Sequence, residues 1–295
     1  MALQKSIPTI LVTGSNGQLG SEIRAVSKNF PSYHFLFVSR EDLLIENDQS
    51  VRKIFEKNQI DYCINCAAYT AVDNAESEKE KAFLINAEAV GNLAKICSEH
   101  QTKLIHISTD YVYDGTVSVP LKEENAVGPV NVYGLSKLRG EEFAMKNNAS
   151  ALIIRTSWVY SSFGNNFVKT MLRLFREKEE INVIDDQIGS PTYAADLALV
   201  IMKIIEKQQQ GQKYSGIFNY ANEGITSWYG FANEIKILVK SNCKINPIPT
   251  SSYPTAAKRP LYSVLDTSKV KRVLNIGIPL WQSSLKKCIH ILMPE

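Results

Sequence analysis

The chain contains no run of 18 apolar residues anywhere in its 295, so no segment has the roughly 20-residue length of a membrane-spanning helix. Its opening stretch, Met1-Ala-Leu-Gln-Lys-Ser-Ile7, shows neither the apolar region nor the cleavage site of a secretory signal. Cysteine is sparse and odd in number: Cys63, Cys66, Cys97, Cys243 and Cys288 stand at irregular spacing, which excludes a disulfide framework and points to a reducing compartment. These features place the chain in the cytoplasm, with no membrane partner and with its cysteines as small buried hydrophobes. Charge of one sign is missing as well. The net charge is +3 and the nine arginines are scattered, so no electrostatic footprint for nucleic acid exists.

Histidine is equally scarce. His34, His100, His106 and His290 offer no second pair to complete a zinc site with Cys63-Ile-Asn-Cys66, and residues three apart in a strand point to opposite faces. His106 therefore reads as a core strand residue. No carboxylate spacing predicts a metal either, so the expected metal complement is none. Trp228 and Trp281, near expected helix starts, read as packing residues.

What is present is a regular alternation. Ile7 to Thr13, Tyr33 to Val38, Tyr62 to Cys66, Leu104 to Ser108 and Ala151 to Thr156 are short apolar runs, each followed by a longer amphipathic or polar segment. Helices are expected over Gly17 to Lys28, Asp48 to Asn58, Lys81 to His100, Val132 to Lys146 and Tyr193 to Lys207, with a last one from about Trp281. Continuously apolar strands alternating with helices define an α/β fold, a doubly wound parallel sheet of the Rossmann type. Beyond Tyr160 the alternation loosens, and Pro247, Pro249, Pro254 and Pro260 interrupt it. The expected division is residues 1–160 plus 187–222 for a dinucleotide-binding domain, and 161–186 plus 223–295 for a smaller, discontiguous α/β substrate lobe.

Between the first strand and the first helix stands Gly14-Ser-Asn-Gly17-Gln-Leu-Gly20. Glycines at this spacing permit a tight turn, close approach of backbone to a pyrophosphate, and close helix packing, with the helix N-terminus facing the phosphates. The second strand ends in Val38-Ser39-Arg40, where NAD sites usually carry an acid. A hydroxyl and a guanidinium there suit a ribose phosphate, favouring NADPH, although Glu41 and Asp42 follow and leave NADH possible.

Tyr133 and Lys137 lie one helical turn apart, 113 residues past Gly20. With 13 tyrosines and 24 lysines in the chain, about one Tyr-x-x-x-Lys arises by chance, so the pair acquires meaning only beside the glycine turn. A nearby ammonium favours the phenolate and is expected to lower the phenol's pKa. Thr109, at the end of the fourth strand, faces the same crevice. Hydride added to a carbonyl carbon leaves an alkoxide, for which Tyr133 supplies the proton and Thr109 a hydrogen bond, with Lys137 assisting.

These residues resemble the extended short-chain dehydrogenases, in particular a branch that reduces nucleotide-linked sugars. The likeness spans nearly the whole chain and rests on the glycine turn, Asn65-Cys-Ala-Ala-Tyr-Thr-Ala-Val-Asp73, Ser108-Thr-Asp-Tyr-Val-Tyr-Asp-Gly115, Tyr133-Gly-Leu-Ser-Lys137, Arg155-Thr-Ser-Trp-Val-Tyr160, Asp186-Gln-Ile-Gly-Ser-Pro-Thr192 and Arg259-Pro-Leu-Tyr-Ser263. The resemblance implies that Gly17, Gln18 and Leu19 meet the cofactor pyrophosphate, that Ala68, Tyr69 and Thr70 line the adenosine-ribose and nicotinamide approach, and that Tyr133 and Lys137 bind the nicotinamide ribose. It further implies Thr109, Asp110 and Trp158 against a deoxysugar, and Asn166, Arg259 and Tyr262 toward a nucleotide diphosphate. The implied substrate is a dTDP-linked deoxyketosugar, reduced at C4 by NADPH or NADH, in a monomer or homodimer. Related epimerases and dehydratases share the Tyr-Lys pair, and the β subunit of methionine adenosyltransferase resembles the same family while only binding.

Overall fold

The computed structural model describes residues 7–293. Six strands form the central sheet: β1 (Thr9–Thr13), β2 (His34–Val38), β3 (Tyr62–Asn65), β4 (Lys103–Thr109), β5 (Leu152–Thr156) and β6 (Gly216–Asn219). All pair in parallel, in the order β6-β5-β4-β3-β1-β2. The first five strands agree with the expected runs to within one or two residues; β6 had no counterpart in the sequence reading.

Helices cover both faces of the sheet. On one side Ile10, Val12, Ile64, Ile105 and Ile154 pack against Gln18–Ser27 and Ala194–Gln209, with Val270, Leu274 and Ile278 returning from late in the chain to the same cluster. On the other side Leu11, Cys63, Leu104 and Ile153 meet Asp48–Lys57 and Ala89–Glu99. Strands buried on both faces have no solvent side, which is why their sequences are apolar throughout.

The helix expected from Lys81 to His100 is interrupted. A π turn, Leu84–Glu88, separates Lys79–Phe83 from Ala89–Glu99. Such a turn inserts a residue into the helical register and re-aims a side chain; here it turns Asn86 inward, fully buried.

A second cluster holds Phe167–Glu177, Trp228–Leu238 and Trp281–Leu292 around Val168, Phe231, Ile235, Trp281 and Leu285. Beside it Glu180–Ile184 and Lys244–Ile248 form a two-stranded parallel ribbon. Pro247 lies within that ribbon rather than breaking it, because a strand paired on one side only can spare an N–H. Among the described residues no helix is long and apolar enough to cross a membrane.

Candidate active site

The order of strands reverses between β1 and β3, and the crevice outside their carboxyl ends is where doubly wound sheets bind ligands. A cleft of about 830 Å³ opens there. Gly14, Gly17, Gln18, Leu19, Arg40, Ala68, Tyr69, Thr70, Thr109, Asp110, Tyr133, Lys137 and Trp158 all line it.

The glycine turn is shaped by contact rather than flexibility alone. Gly14 has φ +63°, and a Cβ there would stand 2.7 Å from the Ala67 amide nitrogen, so β1 and the loop after β3 touch through bare backbone. A Cβ on Gly20 would meet the Gly14 carbonyl oxygen at 2.5 Å. Gly20 thus packs the turn instead of lining the cleft. Gly17 precedes Gln18–Ser27 with no side chain capping the helix, leaving its first N–H groups toward the cleft. That cradle suits a diphosphate.

At the end of β2 the structure departs from the sequence reading. Ser39 is buried and already engaged: its amide and hydroxyl both donate to Asp42 Oδ2, at 2.8 and 2.7 Å. These bonds hold the Asp42 carboxyl below its ordinary range. Ser39 does not reach the cleft, so it orders the turn while exposed Arg40 lines the cleft.

Thr109 ends β4 and caps the single turn Asp110–Val112, accepting from the Tyr111 amide at 3.2 Å. Its hydroxyl donates to Asp110 Oδ1 at 3.0 Å and lines the same cleft as Tyr133. Tyr133 and Lys137 ride on Val132–Asn147, whose start is fixed by Asn131, accepting from the Gly134 amide at 2.7 Å and donating to the Lys258 carbonyl at 2.8 Å. Glu141, a turn beyond Lys137, accepts from Ser108 at 2.5 Å and forms a fully buried ion pair with Arg155 at 2.6 Å, locking the helix to β4 and β5.

The electrostatics of the pair are not those the spacing alone suggested. Burial pushes the Tyr133 phenol up to about 12, opposed mainly by the polar Thr109 side chain. Lys137 donates from Nζ to the Ile107 carbonyl at 2.7 Å, with Nζ 3.4 Å from His106 Nε2. Burial brings Lys137 down to about 8. In this state the phenol is therefore raised, not lowered. The result suits a proton donor: the phenol stays protonated at neutral pH, and an alkoxide is a stronger base still.

Asp110 is buried beside Thr109, with Oδ1 accepting from the Thr109 hydroxyl at 3.0 Å and Oδ2 without a partner. Desolvation lifts its pKa to about 6. A buried unpaired carboxylate oxygen at a cleft wall calls for a donor from a ligand, such as a sugar hydroxyl. Trp158 holds a left-handed backbone, φ +47°, and its indole lies flat on Trp228, ring centroids 3.6 Å apart and planes 7° from parallel. Trp228 also lines the cleft, so packing is only half its part.

Three expected substrate residues stand off the cleft. Asn166 caps Phe167–Glu177 and donates to Gln18 Oε1 at 3.0 Å, positioning a cleft residue. Arg259 is paired with Asp73, 2.7 Å and 3.1 Å, so its guanidinium is committed to a carboxylate. Tyr262 bridges Ile188 by its backbone. Sequence reasoning missed a buried set that holds the site from behind. Asn86 accepts from the Tyr69 amide at 2.8 Å and donates to the Tyr69 carbonyl and the Ser136 hydroxyl, each at 3.0 Å. Asn65 and His106 stand behind Lys137 in the same way. No spacing signals them, because the partners that tie them to the site are distant in sequence.

A glycine cradle at the switch point of a parallel sheet, facing a Tyr-Lys pair and a strand-end threonine, defines the class: an NAD(P)-dependent reductase of the short-chain dehydrogenase type. Within that class, residues 8–293 match the model of the RmlD substrate binding domain family, and the chain belongs to it. The dTDP-4-dehydrorhamnose reductase of Aggregatibacter actinomycetemcomitans is 39% identical over 285 residues, covering 94% of this chain and 97% of its own. A solved dTDP-4-dehydrorhamnose reductase from Clostridium acetobutylicum superposes with a TM-score of 0.91 at 40% identity, covering 96% of this chain and 99% of its own. Another from Bacillus anthracis, in complex with NADP, gives a TM-score of 0.91 at 37% identity, over 96% and 98% of the two chains.

Proposed function

We propose that the chain reduces the C4 keto group of dTDP-6-deoxy-L-lyxo-4-hexulose to dTDP-L-rhamnose, with Tyr133 as proton donor. The observation that carries this reading is the meeting of Thr109, Tyr133 and Lys137 at the mouth of the glycine cradle, beside the unpartnered oxygen of Asp110. Family membership supports the substrate class.

NADPH is the assigned cofactor, with NADH possible, and bound in the cleft it supplies the hydride. Gly14, Gly17, Gln18 and Leu19 hold its pyrophosphate, Arg40 its adenosine ribose, and Ala68, Tyr69 and Thr70 the inner wall. Tyr133 then protonates the oxygen left on the sugar as Thr109 holds it, and Asp110 and Trp158 orient the ring. The lobe made of 161–186 and 223–295 is assigned to the nucleotide sugar, and 1–160 with 187–222 to the cofactor, while 268–274 leans on the cofactor side. Arg259 reaches a diphosphate only by exchanging Asp73 for it. The proposed setting is the cytoplasm, as monomer or homodimer.

The test is NADPH oxidation by the purified chain with dTDP-4-keto-6-deoxyhexose and the upstream epimerase. Turnover supports the reading; cofactor binding without oxidation would assign a regulatory, non-catalytic part instead. Tyr133→Phe should lower turnover by roughly 10²- to 10⁴-fold with NADPH affinity almost unchanged. Retained turnover removes Tyr133 from its assigned place.

A further inference from the structure

His106 is fully buried on β4 behind Lys137, and the hydrogen bonds around it specify where its proton sits. Its Nδ1 is 3.1 Å from Asn65 Nδ2 and its Nε2 is 3.4 Å from Lys137 Nζ. The Asn65 amide cannot be turned around. On its far side the Ala67 backbone N–H, a donor only, points at Oδ1 from 3.2 Å, and the Thr13 hydroxyl donates to the same oxygen at 2.6 Å. The amide NH₂ therefore faces His106, whose Nδ1 must accept. A neutral imidazole carries one N–H, so the proton lies on Nε2, aimed at Lys137.

An ammonium has three donors and no acceptor. Facing Nε2–H it places donor against donor. The neutral amine has a lone pair that accepts Nε2–H while one of its own hydrogens still reaches the Ile107 carbonyl at 2.7 Å. We propose that His106, its tautomer set by Thr13, Asn65 and Ala67, is a positioning residue that favours the neutral amine of Lys137 over its ammonium.

The other groups facing Lys137 leave this intact. Glu141 on the same helix pulls toward the ammonium, but its carboxylate is already shared by Arg155 and Ser108. Cys66, from the loop after β3, has its thiol pushed up by burial and stays uncharged. Tyr133, a turn earlier, is likewise a neutral phenol. Burial itself lowers both Lys137, to about 8, and His106, well below its ordinary range.

This device rests on the assignment of Tyr133 only for its catalytic meaning. A neutral Lys137 puts no full cation near the Tyr133 phenol, which keeps its raised pKa and its proton until the sugar oxygen takes it.

The tautomer and the lysine titration need neither substrate nor cofactor, so their failure is separate from failure of the proposed reaction. In the full chain carrying ring-¹⁵N histidine, the signals that vanish in His106→Phe should show an unprotonated Nδ1 and a protonated Nε2 from pH 6 to 9. With ¹³Cε lysine, the signal lost in Lys137→Arg should titrate more than about one pH unit below the other lysines. Asn65→Asp replaces the donor facing Nδ1 by an acceptor, and should reverse the tautomer and raise the Lys137 midpoint by about one unit. In a His106→Phe background the same substitution should raise the midpoint by clearly less, leaving only the direct attraction of the new carboxylate. A native Nδ1–H tautomer, a Lys137 midpoint among the other lysines, or an equal rise in the double variant would overturn the proposal. The native-protein measurements decide it alone if Asn65→Asp does not fold.

Discussion

At the scale of single residues the site is set by which side chains find partners and which do not. Glu141 and Arg155 are both almost completely buried and saturate each other, with Ser108 and Tyr113 completing the shell at 2.5 and 2.7 Å. Removing one partner leaves a buried charge uncompensated, so Glu141→Ala should destabilise the fold by roughly 3–5 kcal/mol, measured by urea unfolding. A loss below 1 kcal/mol would mean that water reaches Arg155 in the folded state. Asp110 is the opposite case, a carboxylate lifted to about 6 by burial. A folded pKa above the ordinary value near 4 means that the fold favours the acid form; the stability it brings is complete at low pH and lost as pH rises through about 6. Asp110→Asn should therefore gain stability relative to the parent between pH 4 and 8, by roughly 1–3 kcal/mol, while substrate binding weakens. A pH-independent difference in chemical unfolding would contradict this. Tyr133, Lys137 and Thr109 were legible in the sequence because helical spacing and a strand end place them without tertiary knowledge. Asn65, Asn86 and His106 were not, since each acts on at least one partner more than 15 residues away.

At the scale of elements, short segments are positioned by steric exclusion. Gly189, in the two-residue strand Ile188–Gly189, would place a Cβ 2.6 Å from Trp158 Cε2. Gly189→Ala should push the indole aside and raise the KM for the nucleotide sugar severalfold, with thermal stability changed by only about 1–3 kcal/mol. Unaltered steady-state kinetics would show that the indole does not meet substrate. The glycine turn and five strands could be read from apolar runs and their spacing. Strand β6 could not: Gly216–Asn219 is four residues long and starts with a glycine at φ +81°, and only its docking on β5 makes it a strand. The π turn at Leu84–Glu88 was hidden for a similar reason. Its apolar pattern is helical, and the turn packs bare backbone to backbone on Gly140, where a Cβ would be 2.0 Å from the Asn86 carbonyl oxygen.

At the scale of the whole molecule, the cleft runs from the glycine turn on the sheet to Trp228 on the second cluster, and so spans separately packed parts. Bound NADPH at 100 times its Kd should stabilise the chain by about 2.7 kcal/mol, seen as a rise in Tm of several degrees. Arg40→Ala should narrow the difference between the NADPH and NADH shifts. An unchanged difference would take the ribose phosphate away from Arg40. The chain has three tryptophans, and their placement has an optical consequence. Trp158 and Trp228 form a face-to-face dimer in the cleft, whereas Trp281 lies buried among apolar side chains away from it. Stacked indoles couple their transitions, so near-ultraviolet circular dichroism should carry a paired band from this dimer over a constant background from Trp281. A sugar nucleotide that parts the two rings would collapse the band, giving the protein an intrinsic, label-free signal for substrate arrival that precedes any change in nicotinamide absorbance.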